Sequence, residues 1–472
     1  MVRKLKFCLS IAIVIFFNVC VYAADLNTFD RNAWLEDFSQ LEQMISTTYP
    51  NLDSQVASQK LNLVKLDHEV RNQLEAIGSD QDAMRVLNEF ISKFKDGHLR
   101  LETTESLKND PTSPSQIAKA TPGLEACELM MGKWTSVKKI EFGFPVSKKD
   151  RFKPVKIQDS AFPWTTFNIG KKRIGIVRIV SFGQGDYPPL CADEWIKYRA
   201  TLKNACDQKC QDIFVHEVLP NRLIRDFEIV VKEIKKEHVS ALVLDLSDNG
   251  GGTGWVGAVM RILTTKKILC GTFGFIRHPH WVKNFEAERD EFQAKLKSAS
   301  DEASRKMIQS RLKRISADLI EARKVCDRRD IWSDGKFHPT CQLVVERNEK
   351  DCNPGDELHF VPGLFDGPLF VIANRKTASA SEDLVARYKE SGIATIIGEK
   401  TRGSGCGFTN GGIELKLKNS GVRVYIPDCA RLLRDGTNEV AGIAPDIVLP
   451  MNDIQTDGFV TKLKSVITKI LH

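Results

Sequence analysis

Ser379 stands in "TASASEDLVARYKE", between an apolar run, "PLFVIANR", and a segment with helical spacing. A serine presented at a strand-to-helix turn can act as a nucleophile once a base takes its proton. The first N–H groups of the helix, beginning with Ala380, sit at the positive end of the helix dipole and suit an oxyanion. Thr377, Ser379 and Ser381 would serve equally well as ordinary helix caps. A second stretch, "SALVLDLSDNGGGTG", runs a buried strand into a loop at Asn249 and Gly250 to Gly252. Glycines let a substrate approach the backbone, and Gly251 is the candidate for a second oxyanion donor. One such donor is worth about 10²–10³ in rate. A phosphate-binding loop would end in Gly-Lys-Ser/Thr, whereas Gly254 is followed by Trp255. No lysine or histidine near Ser379 in sequence is an obvious base.

Three kinds of element would have to position these residues. Residues 25–105 read as a helical N-terminal domain. "WLEDFSQLEQMISTTY" places Trp34, Phe38, Leu41, Ile45 and Tyr49 three and four apart, and "DAMRVLNEFISKF" repeats the pattern. Asp96-Gly97 ends that helix, and "HLRLET" alternates like a short strand. Residues 106–170, rich in Pro, Ser and Lys, read as a linker or a small β-rich module. From about residue 171 to 450, strand patterns alternate with helical ones, which predicts an α/β core. Residues 280–345 interrupt it with a charged helical insertion, readable as a solvated hairpin or as a substrate-gating lid. A C-terminal helix is expected within 451–472.

Arg3, Lys4 and Lys6 precede an apolar run, Phe7 to Val21, that ends in Val21-Tyr22-Ala23. This is the pattern of a secretory signal cleaved after Ala23. The run is shorter than the roughly 20 residues a spanning helix needs, so no integral membrane segment is expected after cleavage. Removal of three positive charges takes the net charge from +7 to about +4. With the basic residues scattered, nothing favours a nucleic-acid partner. Ten cysteines remain in a chain bound for an oxidising compartment, periplasmic or extracellular, and several disulfides are expected. Cys206-x-x-x-Cys210 is weak zinc spacing without a second ligand pair. His278 and His280 flank a proline and resemble a metal pair only superficially. No metal and no cofactor is expected.

Four stretches together resemble the tail-specific, or C-terminal-processing, serine peptidase family. They are Asp245-Leu246-Ser247-Asp248-Asn249-Gly250-Gly251-Gly252, with serine where arginine is usual; Thr377 to Glu382; "IIGEKTRGSG"; and "EVAGIAPDIVL". The resemblance implies an α/β catalytic core of ClpP/crotonase-like type and a polypeptide substrate, with Ser379 as nucleophile. Many members take their base from a lysine in the turn that here reads Thr401-Arg402-Gly403-Ser404-Gly405, and the lysine position is Ser404. Another branch, which includes the tricorn core and the chlamydial protease-like factor, uses an N-terminal histidine and a glutamate. The matching positions are His98, in Lys95-Asp96-Gly97-His98, and Glu439. A His–carboxylate pair suits the task, because the imidazole accepts the serine proton near neutral pH and the carboxylate fixes its tautomer. The expectation is therefore a secreted serine endopeptidase using Ser379, His98 and Glu439. The alternative is a catalytically inactive binding protein on the same fold. No PDZ domain is recognisable between His98 and Arg173.

Overall fold

The computed structural model describes residues 29–102, 116–132, 161–269, 271–324, 326, 330–336, 341–345, 354–355, 358–409, 412–452 and 457–471. Residues 1–28, with the expected signal sequence, and most of the 106–170 segment lie outside them.

The chain begins with four helices: α1 (Arg31–Thr48), α2 (Leu52–Gln59), α3 (Leu63–Ala76) and α4 (Asp80–Ser92). Asp30, Asn62 and Ser79 cap α1, α3 and α4 by accepting N–H bonds from the first turn. The stripe Trp34, Phe38, Leu41, Ile45 buries against Val86, Leu87 and Phe90. A short strand, β1 (Arg100–Glu102), follows. The core then runs through β2 (Trp164–Ile169), β3 (Lys172–Arg178), α5 (Leu219–Lys236), β4 (Ala241–Asp245), α6 (Val256–Ile262) and β5 (Thr272–Phe275). The insertion supplies α7 (Pro279–Ser298) and α8 (Glu302–Ala322). The chain returns with β6 (Leu369–Ala373), α9 (Ala380–Glu390), β7 (Ala394–Gly398), β8 (Ile413–Lys416), β9 (Arg423–Ile426), β10 (Ala430–Leu432), β11 (Ile447–Val448) and α10 (Asp457–Leu471).

The main sheet has the order β11-β7-β6-β4-β3-β2 and is parallel except for the β2–β3 hairpin. Every residue of β4 and β6 is buried, as a parallel strand covered on both faces must be. Leu242 and Leu244 join Phe227, Val259 and Leu384 on one side. Ala241 and Val243 join Phe459 and Leu463 of α10 on the other. The fold is the expected α/β core with a helical N-terminal region and a helical insertion.

Two smaller sheets assemble the site. In the first, β1 pairs antiparallel with β9, Leu101 opposite Val424, and β9 pairs with β8. The helical region also shares one apolar cluster with Leu417, Val422 and Ile426. His98, two residues before β1, is thereby carried onto the core. In the second, β5 lies between β10 and Val344–Val345. There Phe275, Trp281, Phe285, Ile315 and Leu319 form a cluster of their own at the base of the insertion.

Disulfides join Cys127 to Cys191, Cys206 to Cys210, Cys326 to Cys341 and Cys406 to Cys429. The Cys206/Cys210 spacing therefore closes a disulfide. Cys270 and Cys352 lie outside the described residues. Among the described residues, no helix is long and apolar enough to cross a membrane.

Candidate active site

Ser379 forms the turn between β6 and α9 with φ 55° and ψ −119°. A positive φ on a non-glycine residue costs of order 1–3 kcal/mol and persists only where its surroundings over-determine it. Here they do. Thr377 Oγ1 donates to Leu246 O at 2.9 Å, and Ala378 N–H donates to Asn249 O at 3.0 Å. Ser379 N–H donates to Glu382 Oε2 at 2.9 Å, the return half of a capping box. As the first residue of α9, Ala380 has an N–H with no intrahelical carbonyl to take it.

Glu382 is buried and reaches in two directions. Oε1 accepts from Thr401 Oγ1 and from Gly403 N–H, both at 2.6 Å, and Oε2 accepts from Ser404 N–H at 2.8 Å as well as from Ser379. One carboxylate thus joins the serine turn to the turn at 401–404. Arg402 N–H adds a bond to Thr377 O at 2.9 Å.

Ser404, at the place of the missing lysine, meets the histidine. His98 Nδ1 lies 3.1 Å from Ser404 O. A carbonyl oxygen only accepts, so Nδ1 carries the proton and Nε2 keeps its lone pair. Asp96 Oδ1 accepts the His98 backbone N–H at 2.9 Å and sits 3.7 Å from Nδ1, while Asp96 Oδ2 accepts from Tyr49 Oη at 2.7 Å. Burial holds the His98 pKa below its ordinary value, and the Asp96 carboxylate opposes that shift. The imidazole is edge-on to Phe408, with ring centroids 5.7 Å apart.

The glycine loop abuts the nucleophile. A methyl group on Gly251, φ 95°, would fall 2.7 Å from Ser379 Cβ and 2.8 Å from Ala380 N, so only glycine fits. The Gly251 N–H donates to Asn249 Oδ1 at 2.9 Å, and buried Asn249 is anchored in turn to Ile179 O. Gly251 therefore lies against the serine turn, but its N–H, the expected oxyanion donor, is engaged inside the loop by Asn249. Ser247, where arginine is usual, takes a bond from Arg178 Nη1, which also pairs with Asp245 at 2.9 Å. The neighbouring strand thus supplies the guanidinium.

Glu439 is placed differently from the expectation. Its Oε2 accepts from Arg431 Nε at 2.6 Å, while the groups beside His98 Nδ1 are Ser404 O and Asp96. Nδ1 has its acceptor in the turn, and the paired Glu439 faces a cation instead. Arg431 Nη2 donates to both Ser379 O and Gly405 O at 2.9 Å, so Glu439 touches the serine turn through Arg431. Burial pushes the Glu439 carboxyl upward, to about 7, against the pull of Arg431.

The spacing Ser379-x-x-Glu382 was a legible capping-box signal for Glu382. Nothing local marks Arg431, and Ser404, marked only as the position of the absent lysine, gave no sign of its partners, which come from distant parts of the chain. His280, one of the superficial metal pair, contacts Asp428 Oδ2 at 2.8 Å.

A serine on an over-determined turn, touched by a glycine loop and linked to a histidine from another part of the chain, is the architecture of the serine peptidases. The profile of peptidase family S41 matches residues 173–449, and the chain belongs to that family. Over 91 residues it is 37% identical to a carboxyl-terminal-processing protease of Picosynechococcus sp., a match that takes in 19% of this chain and 21% of that protein. Mature CPAF superposes with a TM-score of 0.58 at 14% identity, over 92% of this chain and 96% of that one. CPAF complexed with lactacystin gives 0.57 at 14% identity, over 93% and 98%. At that identity the likeness is one of fold.

Proposed function

We propose that this protein is an exported serine endopeptidase in which Ser379 is the nucleophile and His98 the general base. The observation that carries this reading is the chain of contacts from Ser379 through Glu382 to Ser404, and from the Ser404 carbonyl to His98 Nδ1. It fixes the tautomer in which Nε2 can accept the serine proton. Ser379 Oγ attacks the scissile carbonyl as His98 takes its proton. The oxyanion forms against the Ala380 N–H, with the Gly251 loop as the facing wall. His98 then protonates the departing amine, and water hydrolyses the acyl-enzyme by the same route. Asp96 and the Ser404 carbonyl orient the imidazole. Glu439 holds Arg431 under the serine turn as a positioning residue. The signal sequence and the disulfides support export to an oxidising compartment.

The test is labelling with a fluorophosphonate probe together with cleavage of an unfolded protein substrate. Labelling confined to Ser379, and lost in His98→Ala, is expected. A folded protein that neither labels nor cleaves would leave the binding-protein reading in its place.

A further inference from the structure

The insertion and the small β5–β10 sheet form an open cavity of about 560 Å³. Its lining includes Phe273, Trp281, Phe285 and Phe292, with Thr409 at one edge. The cavity and the catalytic serine share a wall. Phe273 and Arg431 are directly opposed in the antiparallel β5–β10 register, so their side chains leave the same face of that sheet. Phe273 lines the cavity, and Arg431 reaches back to Ser379 O. Thr409 lies two residues beyond Gly407, where an added methyl would meet His98 Nε2 at 3.0 Å. The insertion is fastened to the same segments. Trp281 Nε1 donates to Asp428 O at 3.0 Å, and Thr409 Oγ1 donates to Asp428 Oδ2 at 2.6 Å.

The charges around the cavity are matched. Arg311 of α8 pairs with Glu288 of α7, and Lys295 pairs with Glu291 at 2.6 Å. Asn284 and Thr409 add neutral polar groups to the lining, and Phe273 and Phe292 offer ring surface to an apolar guest, with Trp281 and Phe285 almost fully buried behind them. The volume falls within the range of about 300–1,000 Å³ usual for pockets that hold small groups.

Resting on the peptidase reading above, we propose that this cavity is a substrate subsite. It takes one large apolar side chain of the polypeptide, aromatic by preference, at a fixed distance from the scissile bond. On this inference the insertion is a specificity element. A peptide with a small or charged residue at that position leaves the aromatic walls unfilled or buries an unmatched charge, and is cut more slowly.

The test is cleavage profiling of the full mature chain on a complex peptide mixture, read by mass spectrometry, with fluorophosphonate labelling as an independent measure of an intact serine. Wild type should show one subsite at which large apolar residues exceed small or charged ones about tenfold or more in kcat/KM. Ala287→Trp, which fills the cavity from an exposed helical position, should reduce that preference to under twofold with labelling unchanged. If Ala287→Trp loses labelling, Phe292→Ser, which widens the cavity, decides in its place. Wild-type cleavage with no such subsite, or a labelled variant that keeps the preference, overturns the inference and leaves the peptidase standing. Wild type that neither labels nor cleaves removes the peptidase reading and this inference with it.

Discussion

His98 Nδ1 is 3.1 Å from the carbonyl oxygen of Ser404, the residue that stands where a lysine base would otherwise lie. The turn at 401–404 thus supplies the acceptor for the His98 ring N–H. His98, the proposed base, comes from the N-terminal region, and the pairing of β1 with β9 joins that region to the core.

The pH profile follows from His98. Burial lowers its pKa and Asp96 opposes that, so the neutral, competent form prevails from below the ordinary histidine value of about 6.5 upward. On the acid side kcat/KM should rise with pH through an apparent pKa under that value and be level by pH 7. A profile still rising above pH 8 would point to a lysine base.

Asp96 and Glu439 separate by the same measurement. Asp96→Asn removes the carboxylate that supports the imidazolium, so the acid-limb pKa should fall further. Glu439→Gln acts through Arg431 and should lower kcat while leaving that pKa within about 0.3 units, a small fraction of the roughly 1.4 kcal/mol that one unit represents. A large downward shift in Glu439→Gln would instead give Glu439 the role of orienting His98.

Ser379→Ala should abolish hydrolysis and probe labelling, by around 10⁶ in rate, without loss of fold. The positive φ gives a second readout. Ser379→Gly relieves the backbone strain at the expense of chain entropy, so it should unfold at a temperature no lower than Ser379→Ala. A clearly lower melting temperature for the glycine variant would mean that the turn is not strained.

Glu382→Gln replaces one of the two acceptor oxygens with an amide NH₂ that faces donors. Four donors converge on this buried carboxylate, and each buried donor left without an acceptor costs about 1–3 kcal/mol. Activity should fall at least 100-fold and the melting temperature should drop. Near-wild-type activity would mean that the link from Ser379 to Ser404 is dispensable.

The Cys406–Cys429 disulfide ties the Ser404 turn to the start of β10, next to Arg431. Replacing both cysteines with serine should cost about 2–4 kcal/mol in stability and lower kcat. On denatured, unreduced mature protein, thiol titration should find at most two free thiols. Eight or more would contradict an oxidising compartment.

The sequence determined the elements. Continuous apolar runs located β4 and β6, and apolar stripes of period 3.6 located α1 and α4, because which residues face a core is a local property of strand and helix geometry. It also singled out Ser379 and the glycine loop, since a strand-to-helix turn and a run of glycines are local too. What only the tertiary structure decided are the partners. His98 and Ser404 are 306 residues apart, and Ser379 and Arg431 are 52 apart. A side chain's type says what it can bond, not which distant backbone the fold will bring to it. For that reason Glu439 proved to face Arg431, and the insertion, legible only as charged helices, proved to wall a cavity lined by Phe273, the strand partner of Arg431.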